Sequence, residues 1–216
     1  DGIVAFESPR TVDAYLDAGH GEHTPIVSVG SHWSERGDFV GTDLYDASLS
    51  AVQHLLSQGR KRVALLGPAW LCSPGQSRFE AYTLAMSQAG LSPEYAGIPL
   101  VATWDETRTA FDFLPGYVAS HGCPEGLFCS SDEIAIGAQR ALQDLGFRIP
   151  EDVAIIGCEG IEETAYHHPR ISTIEEPVAE SCRLAWDFLK RRIENPSIPP
   201  QRVVLQPRLV IRESSG

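Results

Sequence analysis

The chain predicts an α/β fold: a mostly parallel sheet with right-handed crossovers and helices on both faces. Two observations carry this. Short, wholly apolar, β-branched or leucine-rich runs, such as Val63-Ala-Leu-Leu66 and Val153-Ala-Ile-Ile156, suit strands buried on both faces. Between such runs lie amphipathic stretches of helix length, often ended by glycine, as at Gly19, Gly59 and Gly90.

Taken in order, Gly2-Ile-Val-Ala-Phe6 is a strand, although nothing precedes it to supply the second neighbour that a parallel strand wants. Residues 9–18 suit a short helix with Pro9 in its first turn, and Pro25–Gly30 a second strand. Residues 31–42, polar and glycine-containing, read as loop. Residues 46–58 form a helix with Asp46 as candidate N-cap and an apolar face of Leu49, Val52, Leu55 and Leu56. Arg60-Lys-Arg62 reads as a connector rather than a phosphate site, and it leads into the Val63–Gly67 strand. After a loop over 68–77, a helix runs from Arg78 to about Ala89.

An arginine at a helix start opposes the macrodipole, so Arg78 calls for a negative or polar neighbour, either a ligand or an internal carboxylate. Ile98–Thr103 reads as an edge strand because of Pro99, with Trp104 at its carboxyl end. There Trp104 is either a flat platform for a sugar or base ring or a core residue. A helix over 107–121 is expected to break at Pro115-Gly116. The Gly126–Ser130 strand leads into a helix over 132–145 with Asp132 as its expected N-cap.

Pro150 stops the preceding helix, Val153–Ile156 forms a strand, and Gly157 is expected to turn the chain out of it. That delivers Glu159 beyond a strand's carboxyl end, where open α/β sheets hold ligands, although a solvated loop carboxylate would look the same. Ile171–Ile174 is extended, residues 178–193 are an amphipathic helix with cations in its last turn, and 203–205 and 209–212 close the chain as extended segments.

Composition narrows the function. A net charge of −12 offers no positive field for nucleic acid or an anionic membrane. No apolar run is long enough to span a bilayer, and the opening residues lack the basic start and apolar core of a signal peptide. Five cysteines without a CxxC pair read as reduced thiols, hence a cytoplasmic chain. Of the seven histidines, His20, His23, His167 and His168 lie near one another only in pairs, each in a polar, loop-like stretch, so no metal centre is expected. No nucleophile elbow, phosphate-binding loop or dinucleotide fingerprint is present, so neither a cofactor nor a catalytic residue is assigned.

Several motifs together resemble one family. They are His54-Leu-Leu-x-x-Gly-Arg-Lys-Arg-Val-Ala-Leu-Leu66, Arg78-Phe-Glu-Ala-Tyr82, Cys129-Ser-Ser-Asp-Glu-Ile-Ala-Ile-Gly-Ala138, Gly146-Phe-Arg-Ile-Pro-Glu-Asp-Val153, Ile171-Ser-Thr-Ile174 and Pro207-Arg-Leu-Val-Ile-Arg-Glu-Ser214. The chain is similar to the effector-binding core of lactose-repressor-type transcriptional regulators. That resemblance implies a periplasmic-binding-protein-like fold of two doubly wound parallel-sheet subdomains joined by a three-segment hinge. One would comprise 1–60 and 177–199, incomplete at its start, and the other 61–176 and 200–216. It implies a sugar-like effector held between them, no enzymatic activity, a homodimer, and operator DNA read by a helix-turn-helix head that this chain does not contain.

By resemblance the effector-binding residues are Arg78, Trp104, Ser131, Asp132, Glu159 and Glu176. Two departures bear on ligand identity: Cys158-Glu159-Gly160 stands where the family commonly has aromatic-Asp-Asp, and Ser131 where it often has Asn. One arginine, a tryptophan and several acids suit a neutral polyhydroxyl ligand. A periplasmic sugar-binding protein of a transporter is the alternative, and an enzyme on the same fold a more distant one. If Trp104 is the stacking platform, Trp104→Phe should remove most of the ligand-induced fluorescence change; a variant responding like its parent would place the signal on another tryptophan.

Overall fold

The computed structural model describes residues 2–7, 9–31, 36–99 and 105–216. In chain order it runs β1 (Ile3–Phe6), α1 (Pro9–Asp17), β2 (Ile26–Gly30), β3 (Asp38–Thr42), α2 (Tyr45–Ser57), β4 (Val63–Pro68) and α3 (Ser77–Gln88). It continues with β5 (Glu94–Ile98), α4 (Glu106–His121), β6 (Gly126–Cys129), α5 (Asp132–Asp144) and β7 (Ala154–Glu159). Last come β8 (Ser172–Glu175), α6 (Val178–Glu194), β9 (Arg202–Leu205) and β10 (Arg208–Val210). These divide into two units, residues 1–44 with 177–207 and residues 45–176 with 208–216.

The first unit is a parallel sheet in the order β1-β2-β3-β9. Its core is Val27, Val29 and Val40 packed against Ala185, Phe188 and Leu189 of α6. Here the structure corrects the expected loop over 31–42, because Asp38–Thr42 is a wholly buried strand. Asp38 looks like a loop residue in sequence, yet it is only 3% exposed. Its carboxylate accepts from Arg192 Nε at 3.0 Å and Nη2 at 2.8 Å, and from the Gln201 amide at 2.7 Å. One ion pair thus ties β3 to α6 and to the segment entering β9.

The second unit is a six-stranded sheet in the order β10-β8-β7-β6-β4-β5, parallel except where β10 runs antiparallel to β8. Its main apolar cluster includes Leu66, Leu127 and Ile155 from strands with Leu114 and Leu142 from α4 and α5. β5 occupies the sheet edge but spans Glu94–Ile98, upstream of the expected 98–103; residues 100–104 lie outside the described ones. α4 runs unbroken through Pro115, against expectation. A proline inside a helix costs about 3 kcal/mol, and here burial of Ala110, Leu114 and Tyr117 offsets it.

The division also differs from the one expected. α2 packs on α3 and β4, which places residues 45–60 in the second unit. β9 pairs with β3, which places residues 200–207 in the first. The basic connector is internally stapled: Arg60 donates to the Glu151 carbonyl, and Arg62 donates to both Glu94 carboxylate oxygens. Among the described residues no helix is long and apolar enough to cross a membrane.

Asp38→Ala should destabilise the protein by about 3–5 kcal/mol, because it leaves a largely buried Arg192 without its counter-charge. Urea denaturation reads this directly, and a loss within a few tenths of the parent would show that the pair does not hold the first sheet together.

Candidate functional site

In the second unit β4, β6 and β7 run parallel, so their carboxyl ends open on one edge of the sheet. The segments leaving those ends carry α3, α5 and the turn at Glu159-Gly160. Arg78 lies in the first turn of α3, beside the Cys158 thiol and the Glu159 and Glu176 carboxyls. Burial works against its charge, but these neighbours outweigh it and raise its pKa. The carboxyls also answer the macrodipole problem that an arginine poses at a helix start. Its Nε is sealed from solvent and has no hydrogen-bond partner among the described residues.

Glu159 ends β7 with φ 118°, a backbone region that side-chain-bearing residues rarely occupy. Its carbonyl accepts from the Glu176 amide at 3.2 Å, which fixes the two acids near each other. Burial pushes its carboxyl up to about 8; Arg78 opposes this, and Asp132, Glu106 and Glu176 add to it. The protonated fold is therefore fully stable below the ordinary value of 4.5, and this contribution is lost as pH rises toward 8.

Asp132 occupies a different position from the expected one. It is 0% exposed and lies inside the first turn of α5, while Ser131 is the N-cap, accepting from the Ile134 amide at 3.2 Å. One Asp132 oxygen accepts from the Gly160 and Ile161 amides at 2.7 and 2.9 Å, and the other from the Thr173 hydroxyl at 2.6 Å. Burial raises its pKa, and these three donors partly hold it down. Asp132 thus clamps the turn after β7 to β8 and to α5, and its side chain shapes the site from beneath.

Gly157 serves this clamp rather than the expected turn. It lies within β7, and a Cβ there would come within 2.1 Å of Asp132 Oδ1. The turn belongs to Glu159 and to Gly160, at φ 80°, where a Cβ would strike the Glu175 backbone.

Ser131, 5% exposed, donates its hydroxyl to Glu106 Oε2. Glu106, Cys158 and the buried hydroxyl of Ser130, which has no partner among the described residues, were not assigned to the site by the sequence. Trp70, 47% exposed, lies in the loop after β4, beyond that strand's carboxyl end. Trp104 itself lies outside the described residues. The arrangement can present a guanidinium donor and two carboxyl groups to a small polar molecule. No metal-binding group of three His, Cys, Asp or Glu side chains occurs among the described residues.

Residues 52–215 match the periplasmic binding protein-like domain family. The chain is 34% identical over 172 residues to the ribose operon repressor of Haemophilus influenzae, covering 76% of this chain and 49% of the relative. It is 26% identical over 224 residues to the repressor PurR of Actinobacillus pleuropneumoniae, covering 99% of this chain and 64% of that protein. The chain therefore spans about half the length of the ribose operon repressors it matches. Among solved structures, a LacI family regulator from Enterococcus faecium with bound ribose aligns with a TM-score of 0.84 at 25% identity, over 100% of this chain and 79% of that one. A LacI family regulator from Sanguibacter keddieii aligns with a TM-score of 0.79 at 29% identity, over 89% and 72%.

Asp132→Ala should lower stability by about 3 kcal/mol, since it strands two amide donors and a hydroxyl in a buried position. A thermal melt compared with the parent checks this; an unchanged midpoint would mean that the turn after β7 is held by something other than this carboxylate.

Proposed function

The chain belongs to the periplasmic-binding-protein-like family of lactose-repressor-type regulators, and on that premise we propose that it is the ligand-sensing part of a DNA-binding transcriptional repressor. Its effector is a small, neutral, polyhydroxyl molecule, with ribose the first to test. The observation that carries this is Arg78: a guanidinium whose Nε is buried without a partner among the described residues, between Glu159 and Glu176 at the strand ends. Buried polar groups ordinarily have partners, and this arginine stands in the segment leaving a strand's carboxyl end, where open α/β sheets hold ligands. Vicinal hydroxyls accept from a guanidinium and donate to carboxyl groups, so a sugar satisfies both kinds of neighbour.

The ribose operon repressors and the ribose-bound regulator support this ligand class. In this reading Arg78, Glu159 and Glu176 touch the effector, Trp104 packs on it, and Ser131 and Asp132 hold the turn and α5 in place. The group binds ligand without turning it over. Operator reading falls to a part of the relatives that this chain does not span, within a cytoplasmic homodimer. To switch the repressor, the effector must prefer one conformational state over another.

Arg78→Ala should weaken ribose binding by about 2–5 kcal/mol while leaving the fold intact, as expected on removing a buried charged partner. Isothermal calorimetry with ribose, lactose and cellobiose, beside circular dichroism of the variant, reads both. Affinity equal to the parent's would show that Arg78 does not hold the effector.

A further inference from the structure

Two acids near the carboxyl end of β7, Glu159 on the strand and Asp132 on α5, are both raised by burial but differ in the hydrogen bonds they receive. Asp132 takes three hydrogen bonds, from the Gly160 and Ile161 amides and the Thr173 hydroxyl. Such donors oppose the burial that raises its pKa. The Glu159 carboxyl receives no hydrogen bond from a described residue, and its charged neighbours are mostly of its own sign. Arg78 faces it from α3, Glu106 from α4, Asp132 from α5 and Glu176 from the segment after β8, with the Cys158 thiol beside Arg78 on β7. Among these described neighbours, one guanidinium stands against three other carboxyl groups.

Glu159 is also held in place. Its backbone stays at φ 118° because Asp132 grips the two amides that follow and Glu176 donates to its carbonyl. An unrestrained loop would relax out of this conformation.

We propose that Glu159 meets the effector as an uncharged carboxylic acid, donating to one ligand hydroxyl and accepting from another, so that it selects neutral hydroxyl-rich ligands and links their binding to a proton. This rests on the reading of the site as the effector site. The chemistry is complementary: Arg78 can only donate, a protonated carboxyl does both, and adjacent hydroxyls on a sugar supply an acceptor for the first and a donor–acceptor pair for the second. An anionic ligand would meet Glu176 and Glu106 as like charges, and Asp132 would repel it from below. Burial, which lifts the Glu159 carboxyl to about 8, agrees with this, since at pH 7 the acid then keeps its proton. A neutral ligand buries the carboxyl further, so the complex holds the proton more tightly than the free protein. Affinity must then fall as pH rises.

The experiment is ribose calorimetry on the parent and on Glu159→Gln at pH 7 and pH 9, in buffers of differing ionisation enthalpy, with infrared titration of both free proteins. The amide of Glu159→Gln copies an uncharged acid's ability to donate and accept. Whatever its affinity at pH 7, that affinity should be the same at pH 9, because the amide has no proton to lose in this range. The parent should take up a proton on binding above pH 8 and weaken by up to about tenfold per pH unit there, while the variant stays flat. A protonated-carboxyl band should vanish between pH 7 and pH 9 in the parent alone. A parent that binds ribose with an affinity independent of pH would overturn the inference yet leave the effector site standing. Failure of ribose, lactose and cellobiose to bind the parent at all would overturn the functional reading and this inference with it.

Discussion

A carboxylate with 0% exposure decides the shape of the site: Asp132, at the start of α5, gathers two amides from the turn after β7 and a hydroxyl from β8. A charge at that depth is tolerated only with such donors around it. The surroundings are cut to fit it. Gly157 leaves room for Oδ1 where any side chain would collide, and Gly160 takes the left-handed turn that Glu175 would otherwise block. Glu159, between those two glycines, inherits a backbone conformation it would not choose. Local strain is thus stored at Glu159 and balanced by the hydrogen bonds that Asp132 accepts from the next two amides.

The same region orders its charges against the whole. With a net charge of −12, the chain has carboxylates to spare, and the second unit places several of them around one arginine. Arg78 is unfavourable at a helix start on its own and favourable once Glu159 and Glu176 stand near it. The helix end, the strand end and the segment after β8 therefore need one another. The small excess of acid falls on Glu159, whose proton becomes part of the site's chemistry.

Much of this could be read from the residues, and the exceptions share a cause. The runs Val63–Leu66 and Val153–Ile156 announced buried parallel strands because nothing else in a soluble chain needs that pattern. β3 was hidden because Asp38 looks solvated until its partner Arg192, 154 residues away, is known. α2 and β9 could be assigned to a unit only by what they pack on or pair with, which spacing alone does not carry. Gly157 was seen as a turn because glycine at a strand end usually is one; its real task, avoiding Asp132, is a contact between distant residues. The family resemblance named Arg78, Trp104, Ser131, Asp132, Glu159 and Glu176; Arg78, Glu159 and Glu176 interact with one another, and Trp104 lies outside the described residues. It did not show that the polar atoms of Ser131 and Asp132 bond to Glu106, Thr173 and backbone amides. Those bonds join residues far apart in the chain, which the order of letters does not reveal.

The most direct measurement is a crystal structure of the protein soaked with ribose. The sugar is expected at the carboxyl ends of β4, β6 and β7, one hydroxyl within hydrogen-bond reach of the Arg78 guanidinium and another of the Glu159 carboxyl, with Asp132 still bonded to Gly160 and Ile161. Sugar bound elsewhere, or an Arg78 that keeps only protein partners while the ligand sits beyond its reach, would contradict it.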